Sequence, residues 1–180
     1  MKRHTKEIWL QEGLKVLAER GNGGLTIEEL THRLNVTKGS FYHHFKNRQT
    51  FSHELLTYWE DEMTTDIIQI SKKGTSFEDR NRRLFESSNQ IRNYELEVAI
   101  RAWALRDEMV REFQERVDNQ RISYLKELYQ MSANDPKVAE ELALIRYAFT
   151  VGAQQIIPSI KGDDLSGLFY VLHDYFKSEK

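Results

Sequence analysis

No cysteine occurs in the 180-residue chain, and proline occurs only twice. The first absence excludes disulfides, Cys-ligated metals and thiol nucleophiles. The second leaves long stretches in which a helix can run without interruption. Net charge is also small, -2, and no stretch approaches 18 uninterrupted apolar residues, so no transmembrane helix is expected. Met1-Lys2-Arg3 could open a signal peptide, but Gln11, Glu12 and Lys15 interrupt the apolar run that one would need. A reducing cytoplasm is therefore the expected setting. Strand-like alternation, internal repeats and low-complexity tracts are missing too. Paired carboxylates in an acid/base setting, a nucleophile beside a histidine and a glycine-rich phosphate loop are likewise not found, so an enzyme or small-molecule carrier is disfavoured and no cofactor is expected.

What is present is a helical composition, with 39% hydrophobic, 30% charged and 11% aromatic residues. The small net charge hides an asymmetry. Residues 1 to 48 carry nine Lys/Arg against five Glu, which is +4, so the remainder carries -6. A basic first quarter on an acidic remainder suggests two roles, the first near a polyanion.

Helix punctuation predicts nine helices and no sheet. Leu10, Leu14 and Leu17 share a face of a first helix, which Gly21-Asn22-Gly23-Gly24 ends. Thr26-Ile-Glu-Glu29 reads as a capping box in which Glu29 reaches back. Thr37 caps a short third helix to about His43, and Asn47 caps a long fourth one to about Lys72. Helices then follow from Ser76 to about Gln90, Tyr94 to Leu105, Asp107 to about Met131, Asp135-Pro136 to Pro158, and about 164 to 177.

The stretch VTKGSFYHHFKNRQTF, residues 36 to 51, carries the functional signal. Three helices in 46 residues, the second and third joined through Leu34-Asn35-Val36-Thr37, have helix-turn-helix spacing. Asn35 supplies the residue that tolerates positive φ in the turn. Leu30, Leu34, Val36, Phe41 and Phe45 are core. Gly39 and Ser40, poor helix formers, leave a bare face that can approach base edges and sugar-phosphate walls. Thr26 and Thr37 begin helices whose free N–H groups favour phosphate. Tyr42 offers a hydroxyl to another phosphate, or else fills a core edge, and Lys38, Lys46 and Arg48 add charge along the backbone. His43 and Ser40 are candidates for base edges. No metal site is expected: His43 and His44 diverge by about 100° on a helix, and Glu29-Leu-Thr-His32 occurs once where a di-iron site needs two such motifs. A protein-interaction module with an acidic partner is the alternative reading of the basic segment.

The segment LTIEELTHRLNVTKGSFYHHFKNRQTF resembles the DNA-binding signature of the TetR family of bacterial transcriptional regulators, over residues 8 to about 56. IRAWALRDEMVREFQERVDNQRISYLKEL resembles, more loosely, the ligand-domain core of one subgroup. The resemblance implies an all-helical homodimer with a helix-turn-helix domain at 1–46 (motif about 26–45) and a helical ligand-binding and dimerisation domain at 47–180. It places Thr26, Thr37, Lys38, Gly39, Tyr42 and Lys46 at positions that touch phosphates or bases of a double-stranded palindromic operator. It implies a cytoplasmic repressor released by a small-molecule effector. For the effector pocket the large side chains Trp59, Met63, Phe85, Trp103 and Tyr124 are the candidates, though aromatics at helical spacing are commonly core. For dimerisation the candidates are Val138, Leu142, Ile145, Phe149 and Gly152, with Leu165, Leu168, Phe169, Leu172 and Phe176 on the last helix. The departures from the family pattern are Asn35 for a turn glycine, Thr31 and Gly13 for alanines, and Gln49 for glutamate. Gly13 costs its helix up to about 1 kcal/mol against alanine, unless packing requires it.

Overall fold

A computed structural model describes residues 5–91 and 93–178, with the side chains of residues 170 and 172–178 outside that description. The described residues are helical throughout, without strands. The order is α1 (Lys6–Gly24), α2 (Ile27–Leu34), α3 (Lys38–His44), α4 (Arg48–Glu60), a π-helical turn (Asp61–Thr65), α5 (Asp66–Lys72), α6 (Phe77–Ile91), α7 (Tyr94–Ala104), α8 (Glu108–Gln130), α9 (Pro136–Gln155) and α10 (Gly162–Ser178). Helical backbone continues from α4 through the π turn into α5, so the elements are nine helices, as the sequence predicts. Among the described residues no helix is long and apolar enough to cross a membrane.

The caps show why the helices begin where they do. Thr26 Oγ1 accepts from the Glu29 N–H at 3.1 Å, Asn47 Oδ1 from Thr50 at 2.8 Å, and Asp135 Oδ1 from Lys137 at 2.8 Å, the last with Pro136 at the first helical position. Two details differ from the sequence reading. Glu29 does not return to the Thr26 N–H, which instead donates to the Gly24 carbonyl; its carboxylate is taken by Arg33 and Arg20. Thr37 stands at the N-cap with extended backbone but its hydroxyl caps no N–H, lying 3.5 Å from that of Ser40. At the far end α9 stops at Gln155 rather than at Pro158, since Ile156 has already turned extended (ψ 144°). The residue before a proline avoids the helical region, and here the chain leaves it earlier still.

Two compact units divide the chain. The first comprises residues 1–66 and 95–118, the second 67–94 and 119–180. In the first, one core joins Trp9, Leu14 and Leu17 of α1, Leu30 of α2, Phe41 of α3 and Phe45 at its C-cap, Phe51, Leu55 and Trp59 of α4, and Ile100, Val110 and Phe113 further on. Gly13 faces this core. A Cβ there would lie 2.8 Å from Phe51 Cζ and 3.0 Å from Leu55 Cδ1, so close approach of α1 and α4 is the packing reason for a glycine inside a helix. Thr31, where an alanine is usual, is buried with its hydroxyl donating to the Ile27 and Glu28 carbonyls at 2.8 and 3.0 Å, so burial leaves no donor unsatisfied.

In the second unit, Ile67, Leu84, Tyr124, Leu128, Ala143 and Tyr147 form one cluster, and Tyr94, Ala153 and Leu165 another. The Tyr124 hydroxyl bonds that of Ser71, which also donates to the Arg80 carbonyl at 2.7 Å. Around them Glu127 accepts Lys72 and Arg80 at 2.8 and 3.2 Å.

The π turn marks a local weakness in the first unit. Glu62 lies in it near Asp66, Glu7 and Asp61; desolvation first, and these like charges second, push its carboxyl above the usual range. A raised folded-state pKa favours the fold only while the group is protonated, and that contribution is lost as pH rises through the folded value. Glu62→Gln is therefore expected to raise Tm at pH 7 by roughly 1–2 °C for a chain of this size. The gain should disappear below the ordinary carboxylate pKa of about 4.3. Thermal scans at the two pH values check this.

Candidate nucleic-acid interface

The interface is built on a turn whose geometry only a few residue types accept. Asn35 closes α2 in the left-handed region (φ 52°, ψ 50°), its N–H donating to the His32 carbonyl at 3.1 Å. Val36 N–H returns to the Thr31 carbonyl at 3.0 Å, and α3 starts two residues later. Phe41 then anchors α3 with no exposed surface, its ring 5.6 Å from Trp9, 5.2 Å from Phe45 and 5.5 Å from Phe51. With that face buried, the opposite face of α3 has to look outward.

Thr37, Lys38, Gly39, Tyr42, His43, Lys46 and Arg48 are all exposed, and Ser40 is half-buried. Tyr42 is 55% exposed with its ring edge against Phe41 at 5.5 Å, so it presents its body to solvent rather than completing the core. A Cβ at Gly39 would meet only Thr37 Oγ1, at an ordinary 3.6 Å. Glycine is thus not demanded by the protein's own packing, and the bare patch beside it is open to a partner. Thr26 lies at the edge, half-buried and committed to its cap.

The cations of this end differ in availability. Lys46 makes no ion pair among the described residues, and Arg48 donates to Asn22 Oδ1 at 3.4 Å. Lys38 is bonded to the Glu28 carboxylate, which holds that carboxyl below its usual range and the ammonium above its own. Arg33, counted in the basic excess, is no surface cation. Glu29, Glu19 and Glu12 take its guanidinium at 2.7, 2.6 and 3.4 Å, joining α2 to α1. Sequence reasoning missed Glu28 as part of this surface and the glutamates that take Arg33 away from it; Glu29 to Arg33 at i, i+4 was the one local signal.

The large side chains considered for an effector fall in different places. Trp59, Met63 and Trp103 belong to the first unit and its core; Phe85 and Tyr124 belong to the second. Trp59 is fully buried and its indole N–H donates to Glu97 at 3.2 Å; that of Trp103 donates to Asp107 at 3.2 Å. Arg101 is held by both oxygens of Asp118 at 2.7 and 2.9 Å.

Seen together, the left-handed Asn35 turn, the buried hinge side of α3 and its open outer face define a helix-turn-helix unit. Residues 10–55 match the sequence model of the family described as "Bacterial regulatory proteins, tetR family". Among curated relatives, the HTH-type transcriptional regulator YuxN of Bacillus subtilis is 30% identical over 74 residues, which are 41% of this chain and 25% of YuxN. The HTH-type transcriptional repressor DhaR of a Mycobacterium species is 33% identical over 52 residues, 29% of this chain and 26% of DhaR. The matched stretch thus spans about a quarter of the length of these relatives. A crystal structure of a transcriptional regulator from Saccharomonospora viridis, in complex with choline, shares the fold over 96% of this chain and 95% of its own, with TM-score 0.76 and 14% identity.

Proposed function

We propose that the chain is a sequence-specific DNA-binding transcriptional regulator that acts in the cytoplasm as a homodimer on a palindromic duplex operator. The observation that carries this reading is the outer face of α3. It combines an unobstructed glycine and an exposed phenol on a helix fixed from behind by Phe41, with Lys46, in no ion pair among the described residues, just past the end of that helix. Residues 1–46 read the DNA; residues 47–180 serve dimerisation and effector binding. Thr37, Lys38, Tyr42, Lys46 and Arg48 contact phosphates, with the α2 end at Thr26 beside them, while Ser40 and His43 reach base edges next to Gly39.

Dimerisation is supported by the apolar side chains that α9 and α10 leave outside: Leu144 (48% exposed), Ile145 (39%), Leu168 (40%) and Val171 (67%). A Cβ at Gly152 or Gly167 would meet nothing within 4 Å, so these faces can come close to another surface. Ala153 and Leu165 are buried inside the unit, and the side chains of Leu172 and Phe176 lie outside the described residues.

Repression with release by a small effector is the sign we assign. DhaR, a relative over the DNA-binding segment, is a repressor, and the Saccharomonospora protein of like fold holds choline. In this chain Trp59, bonded to buried Glu97, with Met63 and Trp103, are where an effector would act on the first unit, and Phe85 and Tyr124 where it would act on the second. An effector that favours one setting of the helix containing Trp59 and the π turn would shift the population of DNA-competent dimers. Half-sites one helical turn apart, about 34 Å, make such a dimer sensitive to small changes of spacing.

The phosphate assignments have a direct test. The double substitution Tyr42→Phe/Lys46→Ala is expected to weaken binding to all duplexes alike and to reduce the salt slope by roughly 1 for each lysine lost. Affinity unchanged across a salt titration by fluorescence anisotropy would refute them.

A further inference from the structure

An acidic residue sits among the groups offered to DNA. Glu28 lies in the first turn of α2, exposed (67% for the side chain), and its carboxylate bonds Lys38 at the first position of α3, itself 58% exposed. Its neighbour Glu29 is occupied by Arg20 and Arg33 and faces α1. Glu28 does not join α2 to α1 in this way; its one ion pair among the described residues is with a cation that the DNA-binding reading gives to a phosphate.

We propose that Glu28 is a specificity-determining residue: by holding Lys38 it withholds a phosphate-binding cation from DNA of arbitrary sequence. This rests on the DNA-binding reading above. A phosphate that approaches Lys38 has to displace the carboxylate and then remain near it, which opposes Coulomb attraction with repulsion at the same spot. Both partners are well exposed, so the pair is exchangeable rather than structural. On arbitrary DNA the whole affinity comes from phosphate contacts, and the exchange has nothing else to drive it. On the operator, base contacts along α3 fix the helix against the groove and bring Lys38 to its phosphate regardless. Glu28 therefore lowers non-specific affinity more than specific affinity, and the ratio between them rises.

The test is a salt titration of dimer binding to a mixed-sequence duplex and to the inverted repeat recovered by selection, for wild type, Glu28→Gln, Lys38→Gln and the double variant. Glu28→Gln is expected to steepen the mixed-sequence slope by about 0.9 per subunit, about 1.8 for the dimer, one more phosphate neutralised by each copy, and so to tighten that binding roughly sixtyfold near 0.1 M salt relative to 1 M. Its operator slope should stay as in wild type, and its operator affinity should rise by a smaller factor. In the Lys38→Gln background the same change should leave the mixed-sequence slope where it was. An unchanged slope in Glu28→Gln, or an equal steepening with and without Lys38, overturns the proposal and leaves the DNA-binding reading intact. Failure of wild type to bind any duplex in a salt-dependent way overturns both.

Discussion

Replacement of Phe41 by alanine is expected to destabilise the first unit by about 3–5 kcal/mol, the usual cost of emptying a buried phenylalanine site. Phe41 has no exposed surface, and rings of Trp9, Phe45 and Phe51 stand around it at 5.6, 5.2 and 5.5 Å. Three large aromatics cannot collapse into the gap without leaving their rotamers, so the cavity term is added to the transfer term. The substitution also removes the one fully buried side chain of α3. Denaturant unfolding should show the loss in the midpoint, and DNA binding should fall with it even at temperatures where the rest of the chain stays folded. A midpoint within about 1 kcal/mol of wild type would mean that α3 is held by something other than this ring cluster.

The second large effect separates folding from function. Gly39→Leu is expected to leave stability unchanged or to raise it by about 0.5–1 kcal/mol, because glycine in a helix costs that much and a Cβ here meets only Thr37 Oγ1 at 3.6 Å. DNA affinity should nevertheless fall by about tenfold to a hundredfold. A bulky side chain on the bare face would hold α3 off the base edges, and overpacking of 1–3 kcal/mol translates into that range. Unfolding and binding curves on the same protein give both numbers. A variant that is stable and binds like wild type would show that the open face at Gly39 is not where DNA sits.

Much of this was legible in the sequence because it rests on local chemistry. The number of helices, the caps at Thr26, Asn47 and Asp135, and the left-handed turn at Asn35 each depend on residues within three or four positions of one another. The burial of Phe41 and Phe45 followed from their i, i+4 spacing. What was not legible involves partners distant in sequence. Glu29 leaves its half of the capping box because Arg20 and Arg33 offer charge-assisted bonds that a lone backbone N–H does not match. Glu28 meets Lys38 ten residues away, across the turn. The basic excess of the first quarter overstated the cations free for DNA, since three glutamates neutralise Arg33. The π turn at Asp61–Thr65 has no sequence signature, and nothing in the pattern of α4 announces it. Gly13 showed only a cost until Phe51 and Leu55 appeared beside it.

The central claim is that two copies of α3 read an inverted repeat. The most direct measurement is selection of binders from a random pool of duplex DNA at near-physiological salt, with the retained sequences read out. The account predicts enrichment of a palindrome whose half-site centres lie about one helical turn apart. Retention without any shared sequence, or no retention by folded protein, would contradict it and favour a basic surface that meets an acidic protein instead.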